Sequence, residues 1–140
     1  MGEFCVGVVS SSVVTLTGPD CTVTVSLVTR HAIHTVYAGH LDGRTSSAVL
    51  AEIARFIGDA SNVALFCDAT AITGYDTSAR LKASDWMTRM GDKVSVLHVL
   101  QRSAMVAIGA AVMNAAVAGK MRIHSERERF EEALRAARES

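Results

Sequence analysis

A short apolar run followed by a helix-like pattern is the feature that most restricts how this chain folds. Residues 63–67, VALFC, lie between polar residues and Asp68, which predicts a strand buried on both faces. Beyond Asp76, small and apolar residues recur at helical spacing, namely Ala79, Ala83, Trp86, Met87 and Met90. A strand buried on both faces needs helices to cover it, so this region predicts a βα unit of an α/β protein.

The same alternation continues along the chain. After the break at Gly18-Pro19-Asp20, alternating apolar and polar residues over 22–27 predict a strand with one buried face. Further strands are predicted over 33–38, 94–100 and 121–124, and helices over 45–57, 77–90, 104–118 and the C-terminal segment. Residues 6–9 and 13–17 predict a hairpin. We therefore divide the chain into an N-terminal β extension, residues 1–20, and one domain, residues 21–140.

Composition excludes several classes of function. The formal net charge of the 140 residues is zero, so nothing attracts the chain to nucleic acid or to an anionic membrane surface. The predicted helix over 104–118 carries no charge, but it is too short for a membrane span. Three cysteines without a CxxC pair are typical of a reducing, cytoplasmic compartment. We expect no cofactor and no metal, because phosphate-binding glycine motifs are missing and His31 and His34 would point to opposite faces of a strand.

The tripeptide Asp76-Thr77-Ser78 stands where a helix should begin. Asp76 is a suitable N-cap residue, which places Thr77 and Ser78 in the first turn. Free backbone N–H groups and the positive end of the helix dipole would stabilise a phosphate added there. The alternative interpretation is that these two residues are simply favourable first-turn residues.

The order of elements now resembles a known family. Gly39-His40-Leu41-Asp42-Gly43 closes the second strand of the domain, and Asp76-Thr77-Ser78 opens its second helix, as in STAS domains. This family includes bacterial anti-sigma-factor antagonists, stressosome subunits and sulfate-transporter tails. The resemblance covers residues 21–138 and implies an α/β fold with a mixed sheet, begun by an antiparallel hairpin and continued by βα units, with about four helices. It also implies that Ser78 occupies the phosphorylated position of the family motif.

The resemblance implies a non-catalytic signalling module that binds a regulatory protein. The partner would be a serine kinase, an anti-sigma factor or another STAS protein, and phosphorylation of Ser78 or Thr77 would switch binding. Asp42, Asp76 and Arg80 would contact the partner. The chain departs from the family at Ala79 and Arg80, where glycine and an aliphatic residue are common. Arg80 would either pair with a phosphate on Ser78 or face solvent.

Two other functions remain open. Residues 104–118 carry apolar side chains on two stripes, with Met105 on one and Val106 and Met113 on the other. Such a helix is either buried by its own domain or covered by a second copy in a homo-oligomer, by the N-terminal extension or by an apolar ligand. The alternative function is therefore binding or sensing of a small apolar ligand or lipid.

A third function is a cysteine-dependent enzyme. Cys67 would be the nucleophile, His98 in the neighbouring strand the base, and Asp68 the group that orients it. The competing interpretation is that Cys67 is a small core residue.

Overall fold

The computed structural model describes residues 5–10, 12–102 and 120–139, which form one seven-stranded sheet and three helices. In chain order these elements are β1 Cys5–Ser10, β2 Val13–Thr17, β3 Cys21–Thr29, β4 Ala32–Leu41, α1 Gly43–Ile57, β5 Val63–Tyr75, α2 Thr77–Met90, β6 Val94–Leu100, β7 Met121–His124 and α3 Arg127–Glu139. None of the described helices has the length and apolar character that a bilayer crossing requires.

The strands lie in the sheet in the same order as in the chain. The first four are joined by antiparallel pairing, and β4 to β7 pair in parallel. The predicted mixed sheet, begun by a hairpin and continued by βα units, is therefore confirmed. The fourth predicted helix, residues 104–118, lies outside the described residues. β2 belongs to the same sheet, and its Val14 and Leu16 are fully buried in the core.

Helices cover the two faces of the sheet separately. α1 and α2 pack on one face, over residues such as Val25, Ile33 and Leu65. α3 covers the other face, where its Phe130 and Leu134 meet Ala32, Phe66 and Leu100. Neighbouring residues of one strand therefore belong to different layers, as the period of a strand requires. We call these the α1/α2 face and the α3 face.

Strand β5 is longer than predicted. The predicted strand ends at Cys67, whereas the observed strand continues to Tyr75. The reason is tertiary, because the long strand β4 offers pairing partners as far as Leu41, which is opposite Tyr75. The pairing is irregular at Val36–Ala38 and Gly39–His40 on β4. These irregularities accommodate residues 68–75, which lack the continuous apolar character of the first half of β5.

Candidate functional site

Two loops lie side by side where β4 and β5 end. Because these strands are parallel, their carboxyl ends share one edge of the sheet, which is where open α/β sheets commonly bind other molecules. The Asp76 N–H donates to the Leu41 carbonyl oxygen over 2.9 Å and holds the start of α2 beside the start of α1. The structure thus brings together the two segments, 39–43 and 76–78, that the sequence singled out.

Asp42 caps helix α1. Its Oδ1 accepts from the Thr45 backbone N–H at 2.7 Å, and its Oδ2 accepts from the Thr45 hydroxyl at 2.9 Å. Burial alone would raise the pKa of the Asp42 carboxyl, but hydrogen bonds from Thr45 and the Arg44 backbone outweigh burial and lower that pKa. Asp42 therefore holds the helix start in place, and its contact with a partner stays a prediction.

A close backbone contact fixes the strand end before this cap. Gly39 has a φ of 93°, and a Cβ at this residue would collide with the Asp20 carbonyl oxygen. The same oxygen accepts from the His40 N–H over 2.9 Å. With its backbone held there, the His40 ring reaches Asp76, and Nε2 lies 2.7 Å from Oδ1.

The role of Asp76 differs from the expectation. Asp76 occupies the N-cap position of α2, but its side chain makes no capping hydrogen bond. The carboxylate pairs with His40 instead, and since the two side chains are 43% and 49% exposed, this pair adds little stability. The prediction that Asp76 is the N-cap residue is therefore confirmed, but its side chain leaves the backbone N–H groups because His40 on the neighbouring strand end is a competing partner. The first N–H groups of α2 thus receive no carboxylate oxygen from Asp76.

Ser78 and Thr77 are exposed in the first turn of α2. The Ser78 hydroxyl packs against Gly43, where a Cβ would collide with its Oγ. Lys82, one turn further along α2, donates from Nζ to the Gly43 carbonyl oxygen over 3.3 Å. The site therefore combines an exposed hydroxyl, a helix N-terminus and a lysine ammonium group.

The roles of Gly43, Ser46 and Lys82 were not predicted. The buried Ser46 hydroxyl donates to the Ala79 carbonyl oxygen over 3.2 Å and joins α1 to the first turn of α2. Lys82 could have been found from the sequence, because it follows Ser78 by four residues and so shares its helix face. Gly43 and Ser46 depend on how the two helices pack, which the sequence does not show.

Arg80 lies on the inner side of α2. It is half-buried and lines a cavity of about 160 Å³ between that helix, α1 and the sheet. Tyr37 and Cys67 of the sheet and Ala83 and Trp86 of α2 also line this cavity. Lys82, rather than Arg80, is the cation that contacts the Gly43 carbonyl beside Ser78.

Burial keeps two weak acids of the cavity wall, Tyr37 and Cys67, neutral. Burial raises the pKa of Tyr37 well above its ordinary value, and nearby Cys67 adds to this effect. Burial likewise raises the pKa of Cys67 to about 12, with a contribution from Asp68. Since the thiolate is the reactive form, Cys67 is a poor nucleophile at neutral pH.

The predicted pair of Cys67 and His98 is not formed. Cys67 is paired with Val99 on the α1/α2 face, whereas His98 lies opposite Phe66 and points to the α3 face. The His98 ring stacks on Phe66 at 4.7 Å, and its Nδ1 lies 2.9 Å from Nε2 of His124. Adjacent strand positions alternate between faces, so a base at residue 98 cannot serve residue 67.

Asp68 also has a different role from the one proposed. Its carboxylate accepts from Thr70 at 2.7 Å and from Nη1 of Arg127 at 3.0 Å, which ties the start of α3 to β5. The predicted catalytic arrangement is therefore corrected to a structural ion pair.

The three histidines of the first half lie in separate places. His31 Nδ1 is 3.0 Å from the Ser61 carbonyl oxygen, His34 lies 6.0 Å from the Phe130 ring under α3, and His40 pairs with Asp76. Within residues 5–10, 12–102 and 120–139, no group of three or more metal-ligating side chains is close enough to hold an ion.

The predicted interface residues Met105, Val106 and Met113 lie outside the described residues. Self-association through residues 104–118 therefore stays a prediction, and so does an apolar ligand beside that segment.

Comparison with known proteins establishes the fold. Neither a protein-family model nor a curated protein matches the sequence. A solved structure of an uncharacterized protein of the DUF3478 family from Shewanella loihica PV-4, described as having a SpoIIAA-like fold, superimposes with a TM-score of 0.61 at 9% identity. The match covers 96% of this chain and 95% of that one. This chain therefore has the SpoIIAA-like fold, as its resemblance to STAS domains implied.

Proposed function

We propose that this protein is a non-catalytic interaction module of a bacterial cytoplasm, whose binding to a regulatory protein is switched by phosphorylation of Ser78. The single observation that carries the proposal is the place of the Ser78 hydroxyl. It is exposed in the first turn of α2, packs against Gly43 at the start of α1, and shares a helix face with Lys82.

The surroundings of Ser78 suit an added phosphate. No carboxylate oxygen from Asp76 occupies the N-terminus of α2, and the Lys82 ammonium is already held against the same backbone. A phosphoserine adds about 1.5 to 2 negative charges, which a helix N-terminus stabilises by about 0.3 to 1 kcal/mol. We therefore expect the fold itself to tolerate the modification.

A partner docked on this edge would respond differently. The starts of α1 and α2 lie together here, and Leu81 of α2 exposes 56% of its surface three residues after Ser78. A partner that covers this apolar side chain would meet the new phosphate without a matching charge, and like-charge or desolvated contacts cost affinity. The proposed partner is a serine kinase, an anti-sigma factor or another STAS protein, as the family resemblance suggests.

The experiment compares substitutions at Ser78 in pull-downs and thermal melts. Ser78→Ala should recover the partner, and Ser78→Asp should lose it while its melting temperature stays within a few degrees of wild type. Thr77→Ala tests whether the neighbouring hydroxyl replaces Ser78. Leu81→Ser should weaken partner recovery without adding charge.

The matched control is Ser61→Asp, which adds the same charge at an exposed residue just before β5, at the opposite end of that strand. It should behave as wild type. Equal recovery of the same proteins by Ser78→Ala and Ser78→Asp would show that Ser78 is not a switch.

A further inference from the structure

The cavity under α2 has the size and lining of a small-molecule site. Its volume of about 160 Å³ is close to the about 150 Å³ at which an apolar protein cavity holds one benzene molecule. Most of the wall that the described residues form is apolar, and its large apolar side chains include Leu50, Ile53, Leu65, Trp86, Met87 and Leu97. A ligand that fills this space would be a single ring or a short aliphatic chain.

Several partly exposed residues of the cavity wall lie near the site already described. The half-buried residues of its wall include Leu41, Ile72 and Tyr75, which lie where β4 and β5 end, and Arg80 in the first turn of α2. A ligand would therefore enter at the edge of the sheet that carries Ser78, with its apolar part directed beneath α2.

Arg80 adds a positive charge to the cavity wall. Its side chain lines the cavity, is half-buried, and forms no ion pair with any residue that the structure describes. Long arginine side chains lay an apolar stem along an apolar surface and keep the guanidinium at its boundary. A partly buried arginine without a carboxylate partner among the described residues favours an anionic ligand, and carboxylates match its fork of N–H donors.

We propose that the cavity binds a small carboxylic acid with an apolar body, of the size of benzoate. The ring lies under α2 against Trp86 and Ala83, and the carboxylate pairs with Arg80. This inference goes beyond the phosphorylation switch, and it places the ligand beside α2.

The first test uses benzoate and the fluorescence of Trp86, which is the single tryptophan of the chain and lines the cavity. Benzoate should change the emission saturably. Benzyl alcohol, which has a similar shape without the charge, should bind about tenfold more weakly. Arg80→Gln should reduce benzoate affinity by about the same factor and leave benzyl alcohol binding unchanged.

A second pair of variants separates cavity binding from surface binding. Ala83→Leu fills the cavity and should abolish the benzoate response, whereas Ala51→Leu adds the same atoms at an exposed position on α1 and should preserve it. Calorimetric titration provides a signal that does not depend on Trp86.

The proposal is overturned if wild-type protein shows no saturable response at millimolar benzoate, or if Ala83→Leu binds as wild type does. Equal binding of benzoate by Arg80→Gln and wild type would contradict the carboxylate assignment. The assay uses purified, unphosphorylated protein without a partner, so its failure would leave the Ser78 proposal standing.

Discussion

The helices pack against the two faces of the sheet in different ways. On the α3 face, the fully buried Phe130 ring meets Phe66 edge-on with centroids 5.9 Å apart, and the pair of Asp68 with Arg127 ties the helix to β5. The α1/α2 face has the larger core cluster, but α2 stands over a cavity of about 160 Å³.

This difference suggests that one face of the sheet stabilises the fold and that the other can adjust. A tightly filled layer has one arrangement and resists change, whereas a layer with a cavity can adjust a helix at low cost. The exposed Ser78 and the half-buried Arg80 both belong to α2, the helix over the cavity. We infer that the α3 face anchors the fold and that the edge beside α2 is where binding is regulated.

The largest effect is expected at Phe130. Phe130→Ala should lower the free energy of unfolding by about 3 to 5 kcal/mol, because it empties the centre of the α3 face. Leu81→Ala on the exposed side of α2 should change it by about 0.5 kcal/mol or less. Urea denaturation measures both. A cost for Phe130→Ala near that of Leu81→Ala would show that α3 does not anchor the sheet.

A matched pair of alanines sharpens the comparison. Ala133→Leu adds atoms to the cluster around Phe66 and Phe130 and should cost about 1 to 3 kcal/mol through overpacking. Ala83→Leu adds the same atoms beside the cavity and should stabilise the protein by about 0.5 to 2 kcal/mol. Thermal melts of the two variants should shift in opposite directions, and a destabilised Ala83→Leu would mean that the space under α2 is not available.

The sequence predicted local structure better than it predicted contacts. The spacing of Ala79, Trp86 and Met87 correctly predicted a helix beginning at Thr77, since burial of one helix face leaves a periodic trace. The partner of Asp76 could not be found in this way, because His40 lies thirty-six residues away along the chain. The length of β5 likewise depended on how far β4 accompanies it.

At the candidate site, too, the sequence predicted local structure but not contacts between distant residues. The sequence correctly placed Ser78 in the first turn of a helix but wrongly paired Cys67 with His98, because the register between neighbouring strands is not visible in either strand alone. The cavity could not be predicted at all, since an unfilled volume depends on how helices and sheet fit together. Lys82 was the one omission that helical spacing could have corrected.

The smallest expected effect is the pH dependence of the free energy of unfolding, which tests the α3 face because that face contains the histidines with shifted pKa values. Burial, followed by the nearby charges of His124 and Arg122, lowers the pKa of His98 from 6.5 to about 4. Burial also lowers the pKa of His124, and it lowers that of His34 although Glu131 and Asp68 oppose the change. In the bond between His98 and His124, one ring must donate and the other accept, so protonation of both rings removes it.

These pKa shifts determine whether stability rises or falls with pH, and over which pH range. Between pH 6.5 and about 4 the unfolded chain binds more protons at His98 than the folded protein does, so stability is full above pH 6.5 and falls as pH decreases through this range. The ring is partly exposed, so the expected loss is about 1 to 2 kcal/mol rather than the full value of the shift. Although burial opposes it, hydrogen bonds lower the pKa values of Asp42 and Asp68, so these carboxylates add a further loss of stability as pH falls toward and below their ordinary value of 3.8.

Urea denaturation at several pH values measures this loss of stability. Two variants show which face of the sheet contains the titrating group. His98→Phe keeps an aromatic ring on Phe66 and should make the curve shallower between pH 6.5 and 4, with His124 and His34 accounting for the slope that remains. Trp86→Phe, on the α1/α2 face, should lower stability equally at each pH and keep the wild-type slope. If His98→Phe retained that slope while Trp86→Phe lost it, the titrating group would lie on the α1/α2 face, and the division between an anchoring face and an adjustable face would be wrong.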